Sequence, residues 1–405
     1  GAVSQYGLQT QEDRIAYRLQ YRLYRRGHIT PPLSVLSRAI AQRQRYLKNS
    51  VVAHVLDHTG KKKKEVNISI HAHPLWLKPD FSITNASYSI DKEAIAAHLR
   101  SIELENVFPP EHVVLSNIIE EEDDVLRAET SGVAKGGIQL NYESGATLVF
   151  NALLSGEKEI NLQLEVIAGA IQNETGEDLG NLELIASGRS NFAGSTYGRT
   201  QNVRKALRTH VNNTLVPPGE TFSFNSTLGG PVTLSRGWYM AKVIFGGDEL
   251  KPAAGGGICQ ASTTVYRAII NAGFPVVERR AHSLYVSYYK KHGVGIDATI
   301  YPGSQDLVFL NDSENTLLIQ AYDDGYEAVV NIYGTPDGRS VELEGPYFST
   351  NAPEDFLVHN RAISQNEVAW VQRVEYKNGT IQKNTILSRY KELPRYVKQE
   401  YAFRD

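Results

Sequence analysis

Hydrophobic and polar positions recur with two different periods along the chain, and these periods predict its helices and strands. Apolar residues follow helical intervals of three and four over 14–26 and 33–47, on either side of Pro31-Pro32. Alternation predicts strands at 66–72 and 160–167, whereas 91–99 and 142–154 have helical spacing. This mixture indicates an α+β fold class.

The second half of the chain contains more glycine and shorter β-like runs. Helices are predicted over 203–211 and over 261–271, the latter between the glycine run 255–257 and Gly273. Short strands are expected from 276 to 319, at 357–359 and at 368–376, with Asn378-Gly379 as a hairpin turn. The parts expected of this multidomain chain are a helical segment 1–64, an α+β domain 65–185, a central mixed α/β domain 186–335 and a small all-β appendage 336–405.

Composition and charge narrow the class of protein. The 405 residues include 42 Lys and Arg against 45 Asp and Glu, a formal net charge of −3, with 41% hydrophobic and 21% charged residues. These values are ordinary for a globular protein and give no electrostatic reason to expect a nucleic-acid partner. No apolar run reaches the roughly 20 residues that a membrane-spanning helix needs. Because the chain starts at Gly1 without a secretory signal, an export signal or membrane anchor would precede it.

The chemistry is expected to centre on Cys259, the only cysteine of the chain, which excludes an intrachain disulfide. It follows Gly255-Gly256-Gly257-Ile258 and immediately precedes a predicted helix. The glycines permit a tight turn and close approach of a ligand, and a helix N-terminus stabilises an anion. Such surroundings lower the pKa of a thiol and favour the nucleophilic thiolate. The backbone N–H of Cys259 or Gln260 would stabilise an oxyanion. The alternative is a structural cysteine buried in a tight turn.

A nucleophilic cysteine needs a base and a group that orients that base. His282 is the leading candidate for the base, because one helix and a returning strand would bring it back to Cys259. A structural role for His282 is the alternative. Asp297 is the candidate for the orienting group, with a backbone carbonyl as the alternative. Ser262 and Ser283 are minor candidates for a serine nucleophile.

Metal ligation and cofactor binding are not predicted. His54 and His58 would share a face of a helix, and His71 and His73 a face of a strand. The first pair lacks the glutamate of the metalloprotease pattern, however. The acidic run at 120–124 indicates an exposed loop.

Several ordered strings between 186 and 335 carry a family resemblance. They are Arg199 with Asn202, residues 218–225, Gly255 to Gln260, residues 262–264, Glu278-Arg279 with His282-Ser283, and residues 297–299. With these strings the chain closely resembles the VanW family of bacterial cell-envelope proteins. Residues 65–185 resemble the peptidoglycan-binding region common in such proteins, and 376–390 is similar to the small β, G5-like region that often follows.

The resemblance implies an L,D-transpeptidase with Cys259 as nucleophile. Such an enzyme forms a thioester, releases D-Ala and cross-links two stem peptides. His282 as base and Asp297 as third group suit this acyl transfer. The alternatives are an L,D-carboxypeptidase or endopeptidase that uses the same cysteine, and a non-catalytic cell-wall-binding protein. The implied partners are peptidoglycan stem peptides and glycan, without nucleic acid. The implied location is extracytoplasmic, in the cell wall or envelope, with a membrane anchor in the full-length protein.

Substrate contacts are expected around the same strings. Arg199, Arg279 or Arg280 would clamp a stem carboxylate with two hydrogen bonds, and a structural salt bridge is the alternative for each. The Tyr- and Lys-rich stretch 285–292 is longer than in many relatives, so the acceptor side of the site is expected to differ. Its tyrosines Tyr285, Tyr288 and Tyr289 would line a groove or serve in packing. The predicted substrate-binding residues are Arg199, Asn202, Gly256, Gly257, Gln260, Arg279, Ser283 and Tyr285.

Overall fold

The computed structural model describes residues 9–245 and 249–401. The chain divides into two compact units. The smaller unit contains the residues up to Pro110 together with Gly136–Ile167, and the larger contains Glu111–Lys135 with everything from Ala168 onward. Within the described ranges, every helix is too short or too polar to cross a membrane.

Helices and strands alternate along both units, which confirms the predicted α+β class. The helices are α1 (Gln11–Arg25), α2 (Leu33–Leu47), α3 (Lys92–Ser101), α4 (Tyr142–Ser155), α5 (Tyr197–Lys205), α6 (Phe224–Thr227), α7 (Ile258–Ala272) and α8 (Arg395–Tyr401). The strands are β1 (Ser50–Leu56), β2 (Lys62–Ser69), β3 (Leu77–Phe81), β4 (Ala86–Ile90), β5 (Val113–Glu120), β6 (Leu126–Thr130), β7 (Gly137–Leu140), β8 (Glu159–Ile167), β9 (Ile171–Asn173), β10 (Glu183–Asn191), β11 (Thr214–Val216), β12 (Thr221–Ser223), β13 (Met240–Phe245), β14 (Glu249–Ala254), β15 (Val276–Glu278), β16 (Val308–Leu310), β17 (Leu317–Asp324), β18 (Glu327–Gly334), β19 (Ser340–Tyr347), β20 (Glu367–Glu375) and β21 (Ile381–Arg389).

The smaller unit is built on a four-stranded sheet in the order β2-β1-β8-β7. Strand β1 pairs with β8 in parallel and with β2 antiparallel. Alternate residues of β1, namely Val51, Ala53 and Val55, are buried, as strand periodicity requires. Their core also receives apolar residues from α3 and α4, such as Leu99 and Leu153.

The larger unit is built on a seven-stranded sheet in the order β10-β18-β17-β11-β6-β5-β9. Helix α7 packs against β10 and β18 of this sheet. Most of α7 is buried on every side, as is typical of a central helix in a large domain. Its N-terminus, where Cys259 lies, therefore stands on a rigid support.

The C-terminal residues join the core of the larger unit. Strands β19, β20 and β21 form an antiparallel sheet, and the predicted turn at Asn378-Gly379 connects β20 to β21. The side chain of Gln372 donates a 2.6 Å hydrogen bond to the carbonyl of Ile270 in α7. A Cβ on Gly273, just after α7, would lie 2.7 Å from a methyl group of Val341 in β19. This sheet is thus packed onto the helix that carries the cysteine.

Two predicted elements differ from those in the structure. The predicted strand at 357–359 is a single bridge between Val358 and Arg361, too short to form a ladder. The predicted helix at 203–211 continues α5 as the π-helix Ala206–Val211, in which Asn212 N–H bonds to the carbonyl of Leu207.

The compact units also differ from the predicted boundaries at 64/65, 185/186 and 335/336. Residues 111–135 supply β5 and β6 to the sheet of the larger unit, although they lie within the predicted 65–185 domain. Residues 1–8, 246–248 and 402–405 lie outside the described part.

Candidate active site

Cys259 occupies the second position of α7, directly after the glycine turn. Gly257 precedes the helix with φ +107°, in the left-handed region that favours glycine. A Cβ on Gly256 would lie 2.6 Å from the backbone of Ala241 in β13, so this position requires the close approach that glycine allows. The two glycines therefore shape the turn that presents Cys259.

Asn202 holds this turn in place. Its side-chain amide donates to the carbonyls of Gly256 and Tyr239, both at 2.9 Å, and its oxygen accepts from the N–H of Tyr239 at 2.8 Å. The side chain is fully buried and uses its hydrogen-bonding capacity on the backbone. Asn202 therefore supports the turn and is not placed to contact substrate, in contrast to the prediction.

Cys259 is a partly exposed residue, and its thiol lies beside polar groups. Its Sγ is 3.6 Å from Thr299 Oγ1 and 3.7 Å from the carbonyl oxygen of Ile300. Among the described residues, the backbone N–H of Cys259 has no hydrogen-bond acceptor, whereas that of Gln260 bonds to the carbonyl of Gly257 at 2.9 Å. Of the two N–H groups predicted as oxyanion donors, only that of Cys259 is available.

His282 and Asp297 lie together because their two segments pair. Thr299 N–H bonds to the carbonyl of Arg280 at 2.8 Å in an isolated antiparallel bridge, which places the two residues opposite each other. His282 Nδ1 is 2.6 Å from Asp297 Oδ2, and the backbone N–H of His282 donates to the same oxygen at 3.1 Å. The imidazole also interacts with the thiol of Cys259, since each of these two groups shifts the pKa of the other. Since Nδ1 faces Asp297, Nε2 is the ring nitrogen that remains for the thiol.

Burial and charge favour an ion pair between the thiol and the imidazole. Burial raises the pKa of the Cys259 thiol, but the hydrogen bond and positive charge of His282 bring it below its usual value. Burial lowers the pKa of His282, but the bonds to Asp297 and Cys259 outweigh this and raise it to about 9. Burial raises the pKa of Asp297, and the bond to His282 with its charge brings it below the ordinary value. At neutral pH the arrangement therefore favours thiolate, imidazolium and carboxylate together.

Helix α7 also fixes the segment that carries Asp297. The hydroxyl of Ser262, one turn after Cys259, donates to the carbonyl of Ala298 at 2.7 Å. The hydroxyl of Thr263 accepts from the N–H of Ala298 at 3.1 Å. Both hydroxyls lie on the helix that bears Cys259 and bond to the residue after Asp297. They therefore fix the distance between Cys259 and Asp297. Ser262 is thus a structural residue, not a nucleophile.

Arg279 supports Asp297 instead of facing a substrate cavity. Its side chain is almost fully buried, and its donors bond to the carbonyls of Asp297, Gly295 and Leu387 and to the hydroxyl of Ser388. Its Nη2 is also 3.4 Å from Asp297 Oδ1. Because all three guanidinium nitrogens have partners within the protein, the structure places Arg279 as a support of Asp297 and not as the predicted stem-carboxylate clamp.

Gln260 is likewise committed to the protein. Its amide is fully buried; the oxygen accepts from Arg199 at 2.8 Å, and the nitrogen donates to Ser190 Oγ at 2.6 Å and to the carbonyl of Asn191 at 3.2 Å. The predicted direct substrate contact is therefore replaced by a role that links α5, β10 and α7.

Arg199 is the predicted substrate-binding arginine that keeps a free charge near the nucleophile. It is half-buried, its guanidinium donates to Ser195 Oγ and Gln260 Oε1, and it stacks 4.1 Å over the ring of Tyr288. Its stem packs against Gly257, where a Cβ would lie 2.8 Å from Arg199 Cγ. Within the described ranges no acidic side chain forms a salt bridge with it.

Ser283 and Tyr285 lie on the side of the C-terminal sheet. The carbonyl of Ser283 accepts from the N–H of Lys391 at 2.7 Å. The ring of Tyr285 packs edge-on against Tyr390 at 5.9 Å, and its buried hydroxyl has no partner in the described part of the chain. The ring contact and the burial of its hydroxyl support the packing alternative for Tyr285.

Sequence reasoning missed several neighbours of the site. Tyr390 donates to Asp297 Oδ1 at 3.0 Å, from a point far along the chain. Tyr289 is buried, with its ring 5.2 Å from that of His282. No spacing in a single sequence connects residue 390 to 297. His54, in contrast, lies on strand β1 and not on a helix, so it does not share a helical face with His58.

Comparisons with known proteins point to one family. A family model described as "VanW like protein" matches residues 198–333. "Uncharacterized protein YoaR" of Bacillus subtilis is 35% identical over 144 residues, which are 36% of this chain and 46% of the relative. "Vancomycin B-type resistance protein VanW" of Enterococcus faecalis is 24% identical over 181 residues, which are 44% of this chain and 62% of the relative. The chain thus spans about half the length of these curated relatives, and no solved structure matches it significantly.

The matched segment contains Cys259, His282 and Asp297, as well as Arg199 and the glycine turn, but it ends before the C-terminal sheet. Residues 198–333 of the chain therefore form a VanW-like domain.

Proposed function

We propose that the protein is a cell-wall enzyme, a cysteine-dependent L,D-transpeptidase that acts on peptidoglycan stem peptides. The observation that carries the proposal is the 2.6 Å bond between His282 and Asp297 together with the electrostatic coupling of His282 to Cys259, which lies at the N-terminus of a buried helix. The Enterococcus relative is a vancomycin B-type resistance protein, which supports cell-wall peptide as the substrate class. An extracytoplasmic location belongs to the same proposal.

In the first step the thiolate of Cys259 attacks the carbonyl carbon of the third residue of a tetrapeptide stem. The new C–S bond forms, and the oxygen of the tetrahedral intermediate faces the N–H of Cys259. The C–N bond to D-Ala then breaks, and imidazolium at His282 gives its proton to the departing amine. The products are a thioester and free D-Ala.

In the second step an amine of a neighbouring stem attacks the thioester. Neutral His282 takes a proton from this amine, the new C–N bond forms, and the C–S bond breaks to restore the thiolate. Water in place of the amine would give L,D-carboxypeptidase or endopeptidase activity with the same three residues. The outcome depends on which acceptor reaches the thioester first.

Arg199 is suited to hold a carboxylate of the donor stem. It is a half-buried cation that packs against Gly257, close to the nucleophile, and two of its nitrogens are oriented by Ser195 and Gln260. A guanidinium binds a carboxylate through two parallel hydrogen bonds, which gives both affinity and orientation. We therefore propose Arg199 as the residue that aligns the stem with Cys259.

The central experiment is mass spectrometry of disaccharide-tetrapeptide muropeptides incubated with the protein and, in parallel, with Cys259→Ala. The transpeptidase produces a cross-linked dimer that has lost one D-Ala, and the variant produces none. Tripeptide monomer alone would mean that water is the acceptor. Unchanged muropeptides with retained binding to cell wall would overturn the enzymatic proposal and favour a wall-binding protein.

The role of Arg199 has its own test. Arg199→Gln is expected to raise the KM for the tetrapeptide about tenfold or more while kcat changes much less, because a ground-state ionic contact is lost. Arg204→Gln is the matched control, since Arg204 lies on the same helix but pairs with Asp323. Equal kinetic effects of the two variants would contradict the assignment.

A further inference from the structure

We propose that Tyr390, which follows strand β21 outside the matched domain, is a positioning residue of the cysteine site. Its hydroxyl donates a 3.0 Å hydrogen bond to Asp297 Oδ1, while Asp297 Oδ2 receives His282. Tyr390 is 4% exposed and Asp297 is 1% exposed, so water does not compete for this bond. This role rests on the part of the proposed function in which Cys259, His282 and Asp297 act together, and it is independent of the acceptor and of the substrate.

The chain on both sides of Tyr390 is anchored to the two segments of the site. The hydroxyl of Ser388 donates to the carbonyl of Gly295 at 2.5 Å, two residues before Asp297. The N–H of Lys391 bonds to the carbonyl of Ser283 at 2.7 Å, next to His282. Tyr390 lies between these two anchors, so its hydroxyl is held at a set place beside the carboxylate.

Arg279 joins strand β21 to the carboxylate from a second direction. It bonds to the carbonyl of Leu387 at 3.0 Å and to the hydroxyl of Ser388 at 2.6 Å, and its Nη2 is 3.4 Å from Asp297 Oδ1. Tyr390 makes the shorter contact with that oxygen. A carboxylate with one oxygen held by two fixed donors cannot rotate, and its other oxygen stays directed at His282.

The hydroxyl also sets how strongly the carboxylate attracts the imidazole proton. A hydrogen bond to the charged form of an acid stabilises that form and makes it a weaker base. Loss of the donor therefore makes Asp297 more basic, which stabilises imidazolium at His282. The titratable and charged groups that face His282 or Asp297 in the described structure are Cys259, Tyr266, Arg267, Arg279, Tyr289 and Tyr390.

Tyr390→Phe tests this proposal because it removes the hydroxyl and retains the ring that packs in the C-terminal core. The measurement is the titration of His282 by NMR of ring-labelled histidine in the full chain, with the resonance assigned from a His282→Gln spectrum. We expect the pKa of His282 to rise by about half a unit, as loss of one hydrogen bond to the paired carboxylate requires. Tyr376→Phe is the control, because that hydroxyl bonds to Gln382 and contacts no site residue.

An unchanged or lowered pKa of His282 in folded Tyr390→Phe would show that Tyr390 only packs. If Tyr390→Phe does not fold, Tyr390→3-fluorotyrosine is the second variant. Its more acidic hydroxyl is a stronger donor, so the pKa of His282 must fall, and a value at or above wild type overturns the proposal. Neither measurement uses peptidoglycan. Failure of the transpeptidase assay and failure of the positioning role are therefore separate results.

Discussion

Replacement of Asp297 by asparagine is the sharpest test of the ion pair. The carboxylate accepts hydrogen bonds from two groups of His282 through one oxygen and from Tyr390 and Arg279 through the other. Asparagine has one acceptor oxygen and one NH2 group. Its NH2 group must therefore point either at the donors of His282 or at those of Tyr390 and Arg279, where no hydrogen bond can form. If the NH2 group faces His282, it directs the imidazole proton to Nε2, where it blocks proton transfer from Cys259.

The magnitude of the Asp297→Asn effect follows from the surroundings of His282. Burial alone lowers the pKa of this histidine below 6.5, and the bonds to Asp297 and Cys259 raise it to about 9. Without the carboxylate the pKa of His282 is expected to return to 6.5 or lower. A fall of about 2.5 in the pKa of His282 shifts the equilibrium between the thiolate–imidazolium pair and the neutral thiol–imidazole pair roughly 300-fold toward the neutral pair.

The assay is alkylation of Cys259 with iodoacetamide over pH 5 to about 10, which is site-specific because the chain has no other cysteine. Asp297→Asn should alkylate about 100-fold more slowly than wild type near pH 7 and approach the wild-type rate above pH 9. Asp323→Asn is the matched control, since it alters a buried aspartate of the same unit that pairs with Arg204 and Arg208. Coincident pH profiles of Asp297→Asn and wild type would refute the reasoning.

Three further predictions concern pH and the glycine turn. The value of kcat/KM should fall as pH rises through about 9, because deprotonation of His282 removes the proton that the leaving amine needs; a rate that still increases at pH 10 would contradict this. Gly256→Ala should lower the free energy of unfolding by about 1–3 kcal/mol and reduce turnover, since its Cβ meets the backbone of Ala241; chemical denaturation and kinetics measure both. Asn202→Ala should cost about 1–3 kcal/mol, visible as a lower Tm, because the buried carbonyls of Gly256 and Tyr239 lose their donor; an unchanged Tm would show that water replaces it.

Helices and turns could be predicted from the sequence because neighbouring residues determine them. Helix α2 has the predicted bounds, and α7 begins three residues before its predicted start. Gly273 ends α7 with φ +77°, as a C-terminal glycine does. The glycines before Cys259 indicated the candidate nucleophile. A glycine turn followed by a helix involves only neighbouring residues, so it can be recognised in the sequence.

The sequence could not show which predicted contact residues keep polar atoms free for a substrate, because a residue type does not reveal whether its polar atoms are already used. Asn202, Gln260 and Arg279 have the chemistry of ligand-binding residues, yet burial directs their hydrogen bonds to the backbone and to one another. Arg199 has the same chemistry, and it keeps its charge without an acidic partner in the described ranges.

The sequence by itself determined the elements, the glycine turn, the cysteine and the set of candidate partners for it. Only the tertiary structure decided which candidates meet: the bridge between Arg280 and Thr299 brings His282 to Asp297, and the packing of the C-terminal sheet on α7 brings Tyr390 to the same carboxylate. The physical reason is that periodicity and turn chemistry act over a few neighbouring residues. A hydrogen bond between residues 297 and 390, in contrast, depends on where a whole sheet docks.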